Sequence, residues 1–335
     1  MPNRAAVLPE PNTIEIREVP DPTPLPHQAV VRIEAVGVCG SDTAYCTVGR
    51  IGDWVVDGPL ILGHEAAGQV IEIGSAVTGV VVGDRVAIEP GTPCRDCREC
   101  LAGRYHLCPD LVFLATPPHD GALVEKLAVD SRNLYRLPDS MSYEQGALVE
   151  PLSVGIWGCR RVGLEPGDDV LVTGAGPVGL LAAAAARALG ATTVTVTDLS
   201  DFRLDLAARM GFVTERSDAA GDSTYDVLLE CSGAPGVLAA GLARLRPAGR
   251  AAVIGLSKEQ SIPLPLSQLN VNEISISLVN RYRNTWPLGI SLIASGRVDV
   301  DPLITHHFPL AETRDALLLG RTVTDSIKAV IHPQQ

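Results

Sequence analysis

The sequence predicts a two-domain α/β protein, a β-rich domain followed by a doubly wound parallel sheet, and three observations carry that prediction. First, 335 residues exceed the about 150 typical of one domain. Second, from Ala29 to about Val129 short β-branched runs (AVVRIEAVGV, GQVIEIGSAV, GDRVAIEP) are broken by glycine-containing turns. That texture is that of an all-β barrel or sandwich. Third, near Leu148 apolar strands begin to alternate with helical patterns: DVLVTG, PVGLLAAAAARALG, TVTVTD, FRLDLAARMG, YDVLLECSG, VLAAGLARLRPAG and RAAVIGL. Alternation of this kind marks βαβ units and a parallel sheet. Past about Asn280 it fades into a tail that reads as a helix, a short strand region and another helix.

Composition removes several function classes. The chain is 46% hydrophobic and 20% charged, with 32 Gly and 25 Pro, a globular profile rich in turns. Its net charge of −12 argues against a nucleic-acid or membrane-surface partner. The beginning, MPNRAAVLPEPN, lacks the apolar core of a signal peptide. The most apolar stretch, Val170 to Leu189, is interrupted by glycines, a proline and an arginine, so it reads as a buried strand, turn and helix. A cytoplasmic protein is therefore expected. Of the eight cysteines, four fall between Cys94 and Cys108, while Cys39, Cys46, Cys159 and Cys231 are scattered. In a reducing compartment such a cluster points to metal rather than disulfides.

Val170–Thr173 reads as a strand, followed by Gly174-Ala175-Gly176-Pro177-Val178-Gly179 and then a helix. In this G-x-G-x-x-G spacing the first glycine makes the tight turn and the second lets a pyrophosphate approach the backbone. The third lets helix and strand pack closely, with the helix N-terminus facing the phosphates. The next strand ends at Asp198, 24 positions beyond Gly174. An acidic side chain there accepts from a ribose 2′-OH and repels a 2′-phosphate, so NAD is expected over NADP. Arg203 is the residue that pulls the other way.

Cys94-x2-Cys97-x2-Cys100-x7-Cys108 supplies four thiolates on a segment too rich in Gly, Pro and charge for a helix or long strand. Four soft ligands close a tetrahedral zinc site with no open position, so its role is structural. A second set is dispersed: Cys39 in VGVCGSD, His64 and Glu65 in LGHEAAG, and Glu150 in LVEPLSV. Each has an innocent alternative, as a small buried thiol, a satisfied turn histidine or a helix-capping carboxylate. Spacing alone leaves that set open.

VGVCGSD, GHEAAG, the four-cysteine lobe and the glycine-rich turn, in that order, resemble the zinc-containing medium-chain alcohol dehydrogenase family over nearly the whole chain. GRIGDWVV, FLATPPHDGALVE, GALVEPLSVGIWGCRR and RYRNTWPLGISLIASG resemble its sorbitol (polyol) dehydrogenase branch. The resemblance implies a GroES-like catalytic domain formed by residues 1–150 and 281–335. A Rossmann NAD-binding domain, residues 151–280, is inserted, and the cleft between the two holds nicotinamide and substrate. It implies a catalytic zinc on Cys39, His64 and Glu65, with Glu150 bound directly or through water. Glu150 stands where the two-Cys, one-His alcohol dehydrogenases carry their second thiolate. A harder, oxygen-rich site suits a substrate that chelates through vicinal hydroxyls. Zinc there lowers the pKa of a bound hydroxyl, from about 16 to about 7 for water in favourable sites, and hydride passes to NAD.

By the same resemblance Ser41 is the proton-relay hydroxyl, and Tyr45, Phe113 and Thr116 line the substrate. Arg281 and Tyr282 hold its distal hydroxyls, Arg281 also meets the cofactor, and Gly255 and Leu256 approach the nicotinamide ribose. The chain departs from the branch at Ala44, where a histidine is usual, and at Asn280, where a phenylalanine precedes the Arg-Tyr pair. His106, His119, His306 and His307 match no ligand position and read as surface or structural residues. The activity implied is oxidation of a secondary alcohol of a polyol such as sorbitol or xylitol, by a homo-oligomer (tetramer or dimer). The alternatives are a cyclitol, aminocyclitol or threonine-type dehydrogenase on the same scaffold, and a non-catalytic NAD-binding protein, which the intact metal set disfavours.

Overall fold

A computed structural model describes residues 2–219, 221–257, 259 and 261–335. The chain divides into two compact units. The first comprises Met1–Glu150, Trp286–Ala294 and Leu303–Gln335; the second comprises Pro151–Thr285 and Ser295–Pro302.

The first unit is organised on the ten-residue strand Gln28–Gly37, whose β-branched and alanine side chains fill both faces. One edge pairs antiparallel with Glu65–Ile73 along almost its whole length. The other edge is shared, with Lys126–Asp130 against the first half and Lys328–His332 against the last two residues. Arg85–Ile88 and Leu134–Arg136 extend the sheet on one side, and Ile304–Pro309 extends it on the other. A three-stranded sheet, Glu15–Val19, Asn3–Leu8 and Leu60–Ile61, completes the β-rich body. Ile33, Val36, Leu62, Ile88 and Ile331 are fully buried in its core, each contributing about 1.5–3 kcal/mol by removal from water. This architecture places Gly37, Glu65 and the strand Lys328–His332 side by side.

The second unit is a six-stranded parallel sheet in the order Val213–Arg216, Thr193–Asp198, Asp169–Thr173, Tyr225–Glu230, Leu245–Val253, Ser275–Leu278. Chain order reverses at Asp169–Thr173, so the carboxyl end of that strand is the switch point at which doubly wound sheets bind ligands. The alanine-rich helix Pro177–Ala188 is buried along most of its length. Small residues let it pack closely: a Cβ on Gly155 would lie 2.7 Å from the Ala182 Cα.

Where the sequence places the return to the first domain at residue 281, the structure groups 281–285 and 295–302 with the second unit. Local bonds explain why. The Arg283 guanidinium lies 5.0 Å from the centre of the Trp157 ring, and Arg160 donates to the Asn284 carbonyl at 2.8 Å. Arg297 donates to the Ala188 carbonyl. Trp286, fully buried in the first unit, stacks on Tyr135 with ring centres 5.5 Å apart.

Candidate active site and metal centres

Cys39 ends the turn after the central strand and caps the helix Gly40–Val48. His64 precedes the strand Glu65–Ile73, and Glu65 is its first residue. The ligand atoms of Cys39, His64 and Glu65 lie within 4.8 Å of one another. Their arrangement depends on a residue the sequence reading passed over. Asp42, 1% exposed, accepts from the backbone N–H groups of Cys39 (3.1 Å) and Gly63 (3.0 Å), and its Oδ1 lies 3.4 Å from His64 Nδ1. A carboxylate accepting from Nδ1–H leaves the lone pair on Nε2, the usual arrangement behind a metal-bound imidazole. Burial opposes the Asp42 charge, but His64 and the two N–H groups outweigh it and lower its pKa. His64 shows the converse: burial pulls its pKa down, and Asp42 with Cys39 carries it well above the ordinary value.

Glu65 meets a second residue missed in the sequence. Lys328 Nζ, 3% exposed, lies 2.6 Å from Glu65 Oε1 and 2.5 Å from Oε2, and donates to the Val38 carbonyl at 2.8 Å. A Cβ on Gly37 would run into the Glu65 carboxylate, so glycine is required opposite it. One thiolate, one imidazole and one carboxylate suit zinc, and three protein ligands leave the open position that a catalytic site needs. Glu150 is outside this close group; it is buried in the first turn of the helix Val149–Arg161, and its charge is felt at Lys328.

Of the expected substrate-lining residues, Phe113 stands beside the metal set, its ring centre 5.7 Å from that of His64. Tyr45 is buried, and Ser41 is half-buried in the same helix as Asp42. Thr116 donates its backbone N–H to the Phe113 carbonyl at 3.1 Å. Arg281, with φ of 53°, and buried Tyr282 belong to the second unit.

The cysteine lobe brings Sγ atoms of Cys94, Cys97, Cys100 and Cys108 within 4.8 Å of one another. Cys94 Sγ and Cys100 Sγ are 3.9 Å apart. That is close to the edge of about 3.8 Å that a tetrahedron with Zn–S bonds of about 2.3 Å requires. The lobe holds more regular structure than its composition suggests, a helical turn at Arg98–Leu101 and a 3-10 turn at Tyr105–Leu107. Backbone N–H groups of Asp96 and Cys97 draw the Cys94 thiol down to about 7, while desolvation pushes Cys100 up to about 12. Cys97→Ser is expected to release one zinc per chain and lower Tm by several degrees, with turnover retained by the folded fraction. Metal analysis beside a melting curve checks this; unchanged zinc content would refute the structural assignment.

At the nucleotide turn each glycine has a distinct reason. Gly174 has φ of 90°, and a Cβ there would sit 3.0 Å from Ser232 backbone atoms. A Cβ on Gly179 would run into the Gly174 carbonyl oxygen, whereas Gly176 faces open space with Arg203 Nη1 3.9 Å away. That open position at the N-terminus of the helix Pro177–Ala188 fits a pyrophosphate, and Val178 lies in its first turn. Asp198 ends the next strand and accepts from the N–H groups of Ala175 (2.7 Å) and Ser200 (2.9 Å). Arg203 Nη1 stands 3.9 Å from the same carboxylate, held on the acid. Gly255 donates its N–H to the Glu230 carbonyl at 2.9 Å, and Leu256 beside it is exposed. Glu230, unremarked in the sequence, is buried and gathers the N–H groups of Ser232 and Gly233.

The alcohol dehydrogenase GroES-like domain family matches residues 25–139, and the zinc-binding dehydrogenase family matches residues 177–295. The chain belongs to the zinc-containing medium-chain alcohol dehydrogenase family, in its sorbitol dehydrogenase branch. It is 42% identical to the sorbitol dehydrogenase of Bacillus subtilis, over 99% of this chain and 98% of that protein. It is likewise 42% identical to the bovine (Bos taurus) sorbitol dehydrogenase, over 94% and 92%. Among solved structures it resembles an Escherichia coli oxidoreductase/dehydrogenase of unknown specificity, with a TM-score of 0.93, 33% identity and 99% of both chains covered. Zinc and NAD are the cofactors this membership brings. Among the described residues no helix is long and apolar enough to cross a membrane.

Proposed function

We propose that the protein oxidises a secondary alcohol of an acyclic polyol, of the sorbitol or xylitol type, to a ketone with NAD as acceptor. The observation that carries this reading is the donor set Cys39, His64 and Glu65, with Glu150 buried beyond it. Carboxylates in place of a second thiolate favour a substrate that brings its own neighbouring oxygens to the site. The names of the relatives point the same way. Zinc, when bound, would lower the pKa of a substrate hydroxyl by several units, and NAD would supply the hydride acceptor. Around them, Asp42 orients His64, Glu150 acts through water, and Ser41 passes the released proton outward, with water in place of a histidine at Ala44. Phe113, Tyr45 and Thr116, all of the first unit, are proposed to contact the substrate.

A panel of alditols, inositols and amino alcohols, followed by NAD reduction, tests the assignment. Turnover of inositols or amino alcohols without any acyclic polyol would overturn it in favour of the cyclitol or threonine-type alternative. NAD specificity rests on Asp198. Asp198→Asn, which keeps an acceptor for only one of the Ala175 and Ser200 N–H groups and turns an amide NH2 toward the other, is expected to weaken NAD by about ten- to a hundredfold, the worth of a charge-assisted hydrogen bond of about 1.5–3 kcal/mol. It is expected to narrow the preference over NADP as well. An unchanged preference would move the credit to another residue.

The protein is further proposed to be a cytoplasmic homo-oligomer. The parallel sheet ends in the strand Ser275–Leu278, and Leu278, Val271 and Leu266 are exposed near it, a surface that self-association would cover. Light scattering on the purified protein decides between monomer and oligomer.

A further inference from the structure

We propose that Glu144, His307 and His332 form a third metal site, for a borderline divalent transition-metal ion, apart from the two zinc sites. All three residues lie in the first unit. Glu144 Oε1 is 2.8 Å from His307 Nδ1 and 3.0 Å from His332 Nε2, and the two ring nitrogens are 3.4 Å apart. With metal–ligand bonds of about 2.0–2.1 Å, neighbouring ligands are about 2.9 Å apart in an octahedron and about 3.4 Å in a tetrahedron. The three observed separations span that interval, so an ion needs adjustments of only a few tenths of an ångström.

The hydrogen-bonding of His332 is the second observation. Its Nδ1 lies 3.1 Å from the Glu34 carbonyl oxygen. A carbonyl only accepts, so Nδ1 carries the proton and, in the neutral ring, Nε2 carries a lone pair. That lone pair faces a carboxylate oxygen, which has no proton to offer. Two acceptors 3.0 Å apart require a bridge, either a metal ion or a proton held between them. An imidazole whose far N–H is fixed on a backbone carbonyl is the arrangement that presents a ligand to a metal.

The scaffold is suited to the task. His307 and His332 come from the adjacent parallel strands Ile304–Pro309 and Lys328–His332, with rings stacked 5.7 Å apart. Glu144 comes from the helix Tyr143–Ala147. Side-chain exposures of 54%, 18% and 27% for His307, His332 and Glu144 keep the site open to solvent, so water completes the coordination. The neighbouring His306 is turned elsewhere, with Nδ1 3.0 Å from Thr305 Oγ1. An ion here joins the helix just before Glu150 to strands more than a hundred residues away in sequence.

The test uses the untagged, zinc-loaded enzyme, dialysed to equilibrium against increasing free zinc, with metal per chain counted by mass spectrometry. Wild type is expected to take up one equivalent more than His307→Ala at submillimolar zinc, and Glu144→Gln is expected to bind that equivalent at least tenfold more weakly. Added zinc is expected to raise the Tm of wild type by several degrees and leave that of His307→Ala unmoved, because a ligand that binds only the folded state stabilises it. Polyol oxidation by His307→Ala is expected to match wild type. Equal uptake by wild type and His307→Ala overturns the proposal and leaves the protonated histidine–glutamate pair as the explanation.

Discussion

Cys39→Ala is expected to lower kcat for alcohol oxidation by about a thousandfold or more while leaving the affinity for NAD within about twofold of wild type. The size follows from what the metal supplies. Deprotonating a hydroxyl near neutral pH is prohibitive without a Lewis acid, and zinc shifts the pKa of ligated water by about nine units in favourable sites. Losing even a third of that shift costs about three powers of ten. The substitution is also clean. The bonds that order the site, from the N–H groups of Cys39 and Gly63 to Asp42, run from the backbone and survive removal of the thiol. The residues proposed to hold NAD are braced within the second unit, Asp198 by Ala175 and Ser200, and Gly255 by Glu230. Zinc content and NAD titration, run beside the kinetics, check the three parts separately. Turnover retained at saturating NAD would remove Cys39 from the metal set.

How much of this was legible in the sequence depended on whether the signal was local. The glycine-rich turn was legible because two of its glycines answer demands within a few residues: a positive φ at Gly174 and no space for a side chain at Gly179. The cysteine lobe was legible because its four thiols fall within fifteen residues. Cys39, His64 and Glu65 needed the family resemblance, since strand pairing rather than spacing brings them together. Asp42 lay inside the motif VGVCGSD, but its meaning comes from Gly63 and His64 on another segment.

Lys328 and the Glu144–His307–His332 group were invisible for the same reason taken further. The strand Lys328–His332 is buried over its first four residues, so no alternation of polar and apolar residues marks the inward lysine. His307 and His332 become neighbours through pairing of two strands near the end of the chain. The segments after Asn280 are tied to distant residues by side-chain bonds, from Arg160 to the Asn284 carbonyl and from Arg297 to the Ala188 carbonyl, which periodicity does not report.

The role of Glu65 can be separated from that of its partner through Lys328→Met, expected to be the most destabilising of these substitutions. Met preserves the length and volume of the aliphatic stem and removes the ammonium, leaving the Glu65 carboxylate buried at 1% exposure without its counter-charge. Breaking one side of a buried ion pair costs about 3–5 kcal/mol, because the remaining charge has lost its water as well as its partner. The Val38 carbonyl loses its donor too. If Glu65 is also a ligand, zinc becomes the carboxylate's replacement counter-charge in the variant. The loss of Tm caused by Lys328→Met is then expected to be larger in chelated protein than in zinc-loaded protein. Adding Glu65→Gln to Lys328→Met is expected to recover part of the stability of the chelated protein, since a neutral amide no longer needs the cation, while zinc affinity falls. Equal destabilisation with and without zinc would mean that Glu65 serves Lys328 and the fold, and that the catalytic ion is held by Cys39 and His64 with Glu150 as a further carboxylate candidate.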